Sequence, residues 1–138
     1  MGWLIDTNLW IDLERGAISA ADIQAVTRQA PVYLSPINVA EMQFGIELLA
    51  PAQRTRGLSM LRRLRRKPQL RITIDTARTF GTLAAALRRA GREPGVRVND
   101  LWLAAQAVQR GFALLTSNAR DFRDIPGLQL TVLARRAR

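Results

Sequence analysis

The chemistry of this chain must depend on carboxylates, hydroxyls, amides and arginine, because its 138 residues include no histidine and no cysteine. Without those residue types, Ser-His-Asp and Cys-His catalysis, imidazole and thiolate metal sites and disulfides are all excluded. Acidic side chains at special places in the sequence are therefore the first candidates for a functional site. Four of them stand out, namely Asp6, Glu41, Asp100 and Asp121.

Two of these acids follow apolar runs that are typical of short buried strands. Asp6 comes directly after residues 3–5, and Asp121 comes shortly after residues 113–116. Each also has an ordinary structural explanation, because Asp6 could cap the helix that follows it and Asp121 could form a loop turn. Asp124 is a second candidate for the place given to Asp121.

The other two acids lie on predicted helices. Glu41 is in a mostly apolar helical stretch, where an unpaired buried carboxylate would be costly, and Gly45 one turn later leaves space beside it. Asp100 lies in the first turn of a helix that begins at Asn99, where the helix dipole favours an anion. The alternatives are a solvent-facing Glu41 and an Asp100 that only stabilises the helix end.

Short apolar runs alternate with helical patterns along the whole chain, with no repeat or low-complexity segment. This alternation predicts an α/β fold. We expect a single domain over residues 1–138, with a mainly parallel sheet of about five strands covered by helices on both faces. The predicted strands are residues 3–5, 32–34, 71–74, 113–116 and 130–133.

Local signals place the helices between these strands. Ser19 followed by Asp22 resembles a capping box that opens a helix to residue 29. An arginine-rich helix is predicted over residues 51–67. Asp75 is expected to cap a helix that reaches residue 90, and Gly111 is expected to end the helix that begins at residue 99.

These elements are expected to bring the four acids together. In open parallel sheets, ligands bind beyond the carboxyl ends of the strands. Asp6 and Asp121 follow strands, while Glu41 and Asp100 are on helices that are predicted to leave the same strand ends. An oxygen-only site of this kind selects Mg²⁺ or Mn²⁺, which can activate water for in-line displacement at a phosphodiester.

The basic residues are concentrated in one segment. The chain has 21 Lys+Arg against 11 Asp+Glu, and residues 54–92 hold 12 of the basic residues but a single acid. This asymmetry predicts a face that binds a polyanion, with a solvated helix face as the alternative. The arginine excess could equally reflect genomic base composition. The densest part of the segment consists of Arg62, Arg63, Arg65 and Arg66.

The sequence shows neither the pattern of a targeting segment nor that of a membrane span. No uncharged stretch approaches the ~18 apolar residues of a membrane span, and the start, Met1 to Asp6, has no basic region. We therefore expect a cytoplasmic protein that does not enter a membrane.

Four short motifs together resemble the PIN-domain ribonucleases, particularly the VapC-type toxins of bacterial toxin-antitoxin pairs. The resemblance spans essentially the whole chain, with the motifs in order and at appropriate spacing. They are Asp6-Thr7-Asn8, Asn38-Val39-Ala40-Glu41, Asn99-Asp100-Leu101-Trp102-Leu103-Ala104-Ala105 and Thr116-Ser117-Asn118-Ala119-Arg120-Asp121-Phe122.

The resemblance implies a fold, an activity and partners. It implies a PIN-like domain that acts as a metal-dependent endoribonuclease on RNA, forms a homodimer and is inhibited by a cognate antitoxin. It also implies that Mg²⁺ or Mn²⁺ is held by the acids at positions 6, 41, 100 and 121. Supporting polar roles are implied for Thr7, Asn8, Thr116 and Asn118.

Other α/β families with acidic pockets fit less well. Haloacid-dehalogenase-type phosphotransferases would need a second Asp where Asn8 stands, and phospho-receiver domains need a lysine at a strand end. The only lysine, Lys67, lies in an arginine run beside Pro68. The main alternative is a non-catalytic RNA-binding or antitoxin-paired module with the same fold, from which metal-dependent RNA cleavage would distinguish an enzyme.

Overall fold

The structure is a computed structural model that describes residues 1–134, so the last four residues of the expected 1–138 domain lie outside it. Within that range, no helix is both long and apolar enough to span a membrane. The elements are β1 Trp3–Ile5, α1 Thr7–Glu14, α2 Ala20–Thr27, β2 Val32–Tyr33, α3 Pro36–Glu47, α4 Pro51–Leu64, α5 Ile74–Arg89, a 3-10 turn Pro94–Arg97, α6 Val98–Arg110, β3 Ala113–Thr116, a 3-10 turn Ala119–Asp121 and β4 Gln129–Val132.

The four strands form one parallel sheet in the order β2-β1-β3-β4. Leu4 in β1 pairs with Tyr33 on one side and with Leu114 on the other. The chain moves from β1 to β2 in one direction and places β3 and β4 on the opposite side of β1. The carboxyl ends of β1 and β3 are therefore the point where the connections diverge, which is where such sheets form a binding crevice.

Helices cover both faces of the sheet, as the sequence predicts. Alternate strand residues point to opposite faces. Leu4 and Leu114 belong to a buried cluster that includes Leu87 of α5 and Leu101 of α6. Ile5 and Leu115, its pairing partner in β3, belong to a second buried cluster that also contains residues of α1, α2, α3 and α4.

The predicted strand at 71–74 is wrong. Only a single bridge, between Leu34 and Gln69, continues the sheet at that edge. Residues 72–74 are β-branched, but they do not pair with the sheet because Thr73 is the N-cap of a helix. Its hydroxyl accepts a hydrogen bond from the amide of Thr76 in a capping box. The predicted cap Asp75 is wrong for the same reason, since it lies in the first turn of α5 behind the true cap.

Two other helix-end signals are confirmed, while α4 ends at Leu64 rather than at residue 67 and α6 begins at Val98 rather than at residue 99. Ser19 and Asp22 form a capping box at the start of α2, although that helix ends at Thr27 rather than at residue 29. Gly111 closes α6 in the left-handed conformation, with φ of 67°, which glycine adopts without the steric cost of a Cβ.

Helix α6 differs in one respect from the arrangement expected for Asp100. It leads into β3 through a two-residue connection instead of leaving a strand end. Because it packs against the sheet and runs back along it, its first turn lies at the carboxyl edge. Asp100 therefore reaches the expected edge by a different route.

Candidate active site

Asp6 is fixed at the edge of the sheet by both its backbone and its side chain. Its amide donates a hydrogen bond to the carbonyl of Leu115 at 2.9 Å. The residue occupies the N-cap position of α1, but its carboxylate makes no capping hydrogen bond. Instead, Oδ2 accepts a hydrogen bond from the Thr116 hydroxyl at 2.9 Å, and the residue is buried. Helix capping therefore does not explain this carboxylate.

Glu41 is half-buried and faces the same edge from α3. Its Oε1 accepts a hydrogen bond of 2.6 Å from the hydroxyl of Thr7, the first residue of α1. Gly45 has open space where a side chain would lie. Glu41 therefore has a hydrogen-bond partner in Thr7, and the space next to it at Gly45 is open.

Asp121 lies in the 3-10 turn that follows β3. Its Oδ2 accepts a hydrogen bond of 2.7 Å from the side-chain amide of Asn118. The backbone amide of Asn118 in turn donates to the hydroxyl of Thr116 at 3.0 Å. Thr116 and Asn118 therefore hold the carboxylates of Asp6 and Asp121 respectively, within one short loop.

Asp124 has a different environment and does not line the cleft described below. Both of its carboxylate oxygens are bound by Arg97, at 3.0 and 3.1 Å, and Arg92 lies at 3.7 Å. Burial alone would raise the pKa of Asp124, but the hydrogen bonds and charge of Arg97 lower it. Arg97 also donates to the carbonyl of Asp121 at 2.9 Å. Asp124 therefore helps to anchor the loop that carries Asp121.

An open cleft of about 570 Å³ lies at the carboxyl edge of the sheet. All four predicted acids line it, so the structure brings them together as the sequence predicts. The other polar residues of its lining are Thr7, Asn8 and Asn99.

The four acids leave negative charge in this cleft without full compensation. The pKa of Asp100 is raised to about 7, first by burial and then by the charges of Asp6, Asp121 and Glu41. Burial also raises the pKa of Asp6, against the hydrogen bond from Thr116. Arg97 opposes the shift at Asp100 only weakly, being the last of its causes. A bound cation would relieve this repulsion.

The donor set, made of carboxylate and amide oxygens, fits Mg²⁺ or Mn²⁺. Within residues 1–134, no three acidic side chains are close enough together to enclose one ion as they stand. Mg²⁺ does not require that, because it keeps several waters and is commonly bound through one or two carboxylates together with substrate phosphates. The oxygen-only lining excludes the nitrogen and sulfur ligands that favour zinc.

The sequence did not identify Asn38 as a site residue. Asn38 is fully buried, and its side-chain amide donates hydrogen bonds to Thr7 and to the carbonyl of Ile5. The available signal was an amide side chain three residues before Glu41, on a helix that is otherwise mostly apolar. Arg97 was also missed, because its partner Asp124 is distant in the sequence.

The arginines predicted to bind RNA lie outside the acidic cleft. Arg62, Arg63, Arg65 and Arg66 are all exposed, and Arg63 is in addition paired with Glu14 at 2.8 Å. A second groove shares Ile11 and Glu41 with the cleft and continues toward helix α4. The arginines along that groove are Arg15, Arg56 and Arg63.

Known proteins resemble this chain over nearly its full length. Ribonuclease VapC of Rickettsia bellii is 30% identical over 132 residues, which cover 94% of this chain and 95% of the relative. Ribonuclease VapC1 of Rickettsia felis is 27% identical over 136 residues, covering 97% and 98%. The structure of VapBC-1 from nontypeable Haemophilus influenzae superposes with a TM-score of 0.79 and 26% identity, covering 96% of this chain and 98% of that one. The PIN domain model matches residues 3–128, and the chain therefore belongs to the PIN domain family.

Proposed function

We propose that this protein is a metal-dependent endoribonuclease that hydrolyses RNA phosphodiesters, and that it is the toxin of a type II toxin-antitoxin pair. The observation that carries the proposal is the convergence of Asp6, Glu41, Asp100 and Asp121 on one open cleft in which the pKa of Asp100 is raised to about 7. Membership of the PIN family and the likeness to VapC ribonucleases support it.

The residues of the cleft have separate tasks in this proposal. Asp6, Asp100 and Asp121 would hold Mg²⁺ or Mn²⁺, with one or two of these carboxylates and water on a given ion, and Glu41 would serve as a further ligand or orient the attacking water. The bound metal supplies activation of that water and neutralises charge that develops on the phosphate. Thr116, Thr7 and Asn118 keep three of the carboxylates in place through the hydrogen bonds described above.

Arginines outside the cleft would bind the rest of the RNA. Arg62, Arg65 and Arg66 are exposed, and no carboxylate of residues 1–134 forms an ion pair with them. Their positive charge attracts phosphates without reading the bases. Arg63 has a weaker claim as a phosphate ligand because Glu14 already accepts its guanidinium.

We further propose a cognate antitoxin as partner, together with homodimer formation, a cytoplasmic location and a single domain over residues 1–138. The antitoxin is supported by the likeness to the VapBC-1 structure. The other three proposals rest on the family resemblance and on the sequence.

Cleavage of RNA by the purified protein tests the enzymatic proposal. We expect endonucleolytic products with Mg²⁺ or Mn²⁺, no cleavage in EDTA, and recovery when the metal is returned in excess. The Asp6→Asn protein is the control for a contaminating nuclease. Full activity in chelator would contradict the metal requirement. RNA binding without cleavage under any divalent ion would instead identify the non-catalytic module.

A further inference from the structure

Asn38 makes more hydrogen bonds than its helix requires. As the third residue of α3, it accepts a hydrogen bond at Oδ1 from the amide of Ser35 at 2.9 Å, which completes a capping box. Its Nδ2 also donates to the carbonyl of Ile5 at 3.1 Å and to the hydroxyl of Thr7 at 2.9 Å. Capping needs only the oxygen. The two donor bonds connect α3 to the end of β1 and to the first residue of α1.

The orientation of this amide follows from its backbone partners. The amide of Ser35 can only donate and the carbonyl of Ile5 can only accept. Exchanging Oδ1 with Nδ2 would place donor against donor and acceptor against acceptor. Asn38 therefore always presents an N–H to Thr7.

This orientation determines what the Thr7 hydroxyl does. A threonine hydroxyl has a single proton to donate. Because Asn38 supplies a hydrogen bond to its oxygen, that proton is directed to Glu41 Oε1, at 2.6 Å. We infer that Asn38 is a positioning residue of the nuclease site, which acts through Thr7 to hold the Glu41 carboxylate in the cleft. This inference rests on the proposed function.

Glu41 needs such a restraint because little else confines it. Its side chain is half-buried at the mouth of the cleft, and the space above Gly45 is open. Thr7 and Asn38 are both buried and are attached to different elements, α1 and α3. The hydrogen-bond chain Asn38–Thr7–Glu41 thus restrains the flexible side chain of Glu41 by linking it to two buried residues.

The substitution Asn38→Asp separates the two roles of this residue. The new carboxylate retains an oxygen for the amide of Ser35 but loses both N–H donors, the one that faces Thr7 and the one that faces the carbonyl of Ile5. We expect kcat on a short single-stranded RNA at saturating Mg²⁺ to fall about 10–100-fold, which is the usual cost of losing such an outer partner. The KM should remain within about twofold, because the RNA-binding arginines are untouched.

Ser35→Ala provides the matched control in the same buried network. Its side chain accepts from the amide of Ile37 and is hydrogen-bonded to Gln106, so the substitution disturbs the interior near Asn38. It leaves the backbone amide of Ser35, and with it the hydrogen-bond chain to Glu41. We expect a lower melting temperature and an unchanged kcat.

A double-mutant cycle shows whether Asn38 acts through Thr7. Thr7→Val removes the hydroxyl and should reduce kcat, while Thr7→Ser retains it and should keep most of the activity. Adding Asn38→Asp to Thr7→Val should cause no further loss of kcat, since the connection is already broken. Losses that multiply would show that Asn38 does not act through Thr7.

A measurement on metal-free protein without RNA tests the geometry itself. In ¹⁵N-labelled protein, Thr7→Val should shift the Asn38 side-chain proton that faces Thr7 and speed its exchange with solvent. The resonance of the other proton, which is hydrogen-bonded to the carbonyl of Ile5, should change little. Unchanged resonances would overturn the inference, and this readout remains decisive if Asn38→Asp fails to fold. A wild-type protein that never cleaves RNA would instead refute the proposed function, whatever the spectra show.

Discussion

Asp100 and Asp124 lie at the same end of the molecule, yet they hold their negative charge in opposite ways. The pKa of Asp100 is raised to about 7 by burial and by three neighbouring carboxylates. The pKa of Asp124 is lowered because both of its oxygens face Arg97. The carboxylates of the cleft thus repel one another, whereas the charge of Asp124 is neutralised by Arg97.

This difference distinguishes residues that serve the proposed activity from residues that support the structure around it. A fold gains nothing from gathering four carboxylates whose charges raise the pKa of Asp6 and Asp100, unless something else binds there. The pair of Arg97 with Asp124, by contrast, anchors the loop of Asp121 through the bond from Arg97 to the Asp121 carbonyl. Substitutions in the two regions are therefore expected to have effects that differ in size and in kind.

The largest effect is expected for removal of a cleft charge. Asp6→Asn and Asp100→Asn should each reduce cleavage by several orders of magnitude while RNA affinity is retained, because each removes a proposed metal ligand and leaves the arginines intact. Cleavage and RNA binding are measured on the same preparations. Asp75→Asn is the matched control, since Asp75 is also in the first turn of a helix but lies on the exposed surface. Equal loss of binding and turnover would indicate misfolding.

The same distinction between paired and unpaired charges applies to the arginines. Replacing Arg62, Arg65 and Arg66 together by Met should weaken binding of different RNAs to a similar degree. The salt slope for single strands should flatten by about 0.7 per lost phosphate contact. Arg63→Met should change that slope less than any one of the other three substitutions made singly, because Arg63 is already paired with Glu14. A changed sequence preference with an unchanged slope would mean that the three residues contact bases or stabilise the fold.

Much of the fold and of the site could be predicted from the sequence, because the signals were local. Apolar runs next to acids placed Asp6 and Asp121 at strand ends, and parallel topology then brought the four acids to one edge. The failures had a different origin. The run 71–74 has strand-forming residues, but the Thr73–Thr76 capping box starts a helix instead. Side-chain pairing over long distances, as between Arg97 and Asp124, leaves no local signal.

An intermediate effect is expected from the ion pair. Asp124→Asn removes the charge that holds Arg97 and should loosen the loop that carries Asp121. We expect cleavage to fall about tenfold and to require more Mg²⁺, as is usual when an outer partner of a ligand is lost. Arg92→Met is the control, because Arg92 approaches Asp124 at 3.7 Å from a mostly exposed position. A loss as complete as that of Asp6→Asn would place Asp124 among the metal ligands.

The smallest effect concerns stability without metal. In the folded protein the pKa of Asp100 is about 7, whereas the unfolded value is near 3.9. The native state therefore binds the proton more tightly, and this group's contribution to stability is full below about pH 4 and is lost as the pH rises to about 7. The side chain of the Asp100→Asn protein does not titrate, so its stability has no such dependence on pH at this position. In EDTA at pH 8 it should melt above the wild type, and its advantage should shrink as the pH is lowered toward 4.

The sign of this change distinguishes a shared pocket from an ordinary helix end. At a helix end, replacing Asp by Asn loses a dipole interaction of about 0.3–1 kcal/mol, so Asp75→Asn should melt lower. In a domain of this size, 1 kcal/mol corresponds to about 4 °C, which melting curves resolve readily. Saturating Mg²⁺ should then stabilise the wild type more than Asp100→Asn, because the variant binds the ion more weakly. If Asp100→Asn melts lower in EDTA and Mg²⁺ shifts both proteins equally, Asp100 serves the helix end and the carboxylates do not act together.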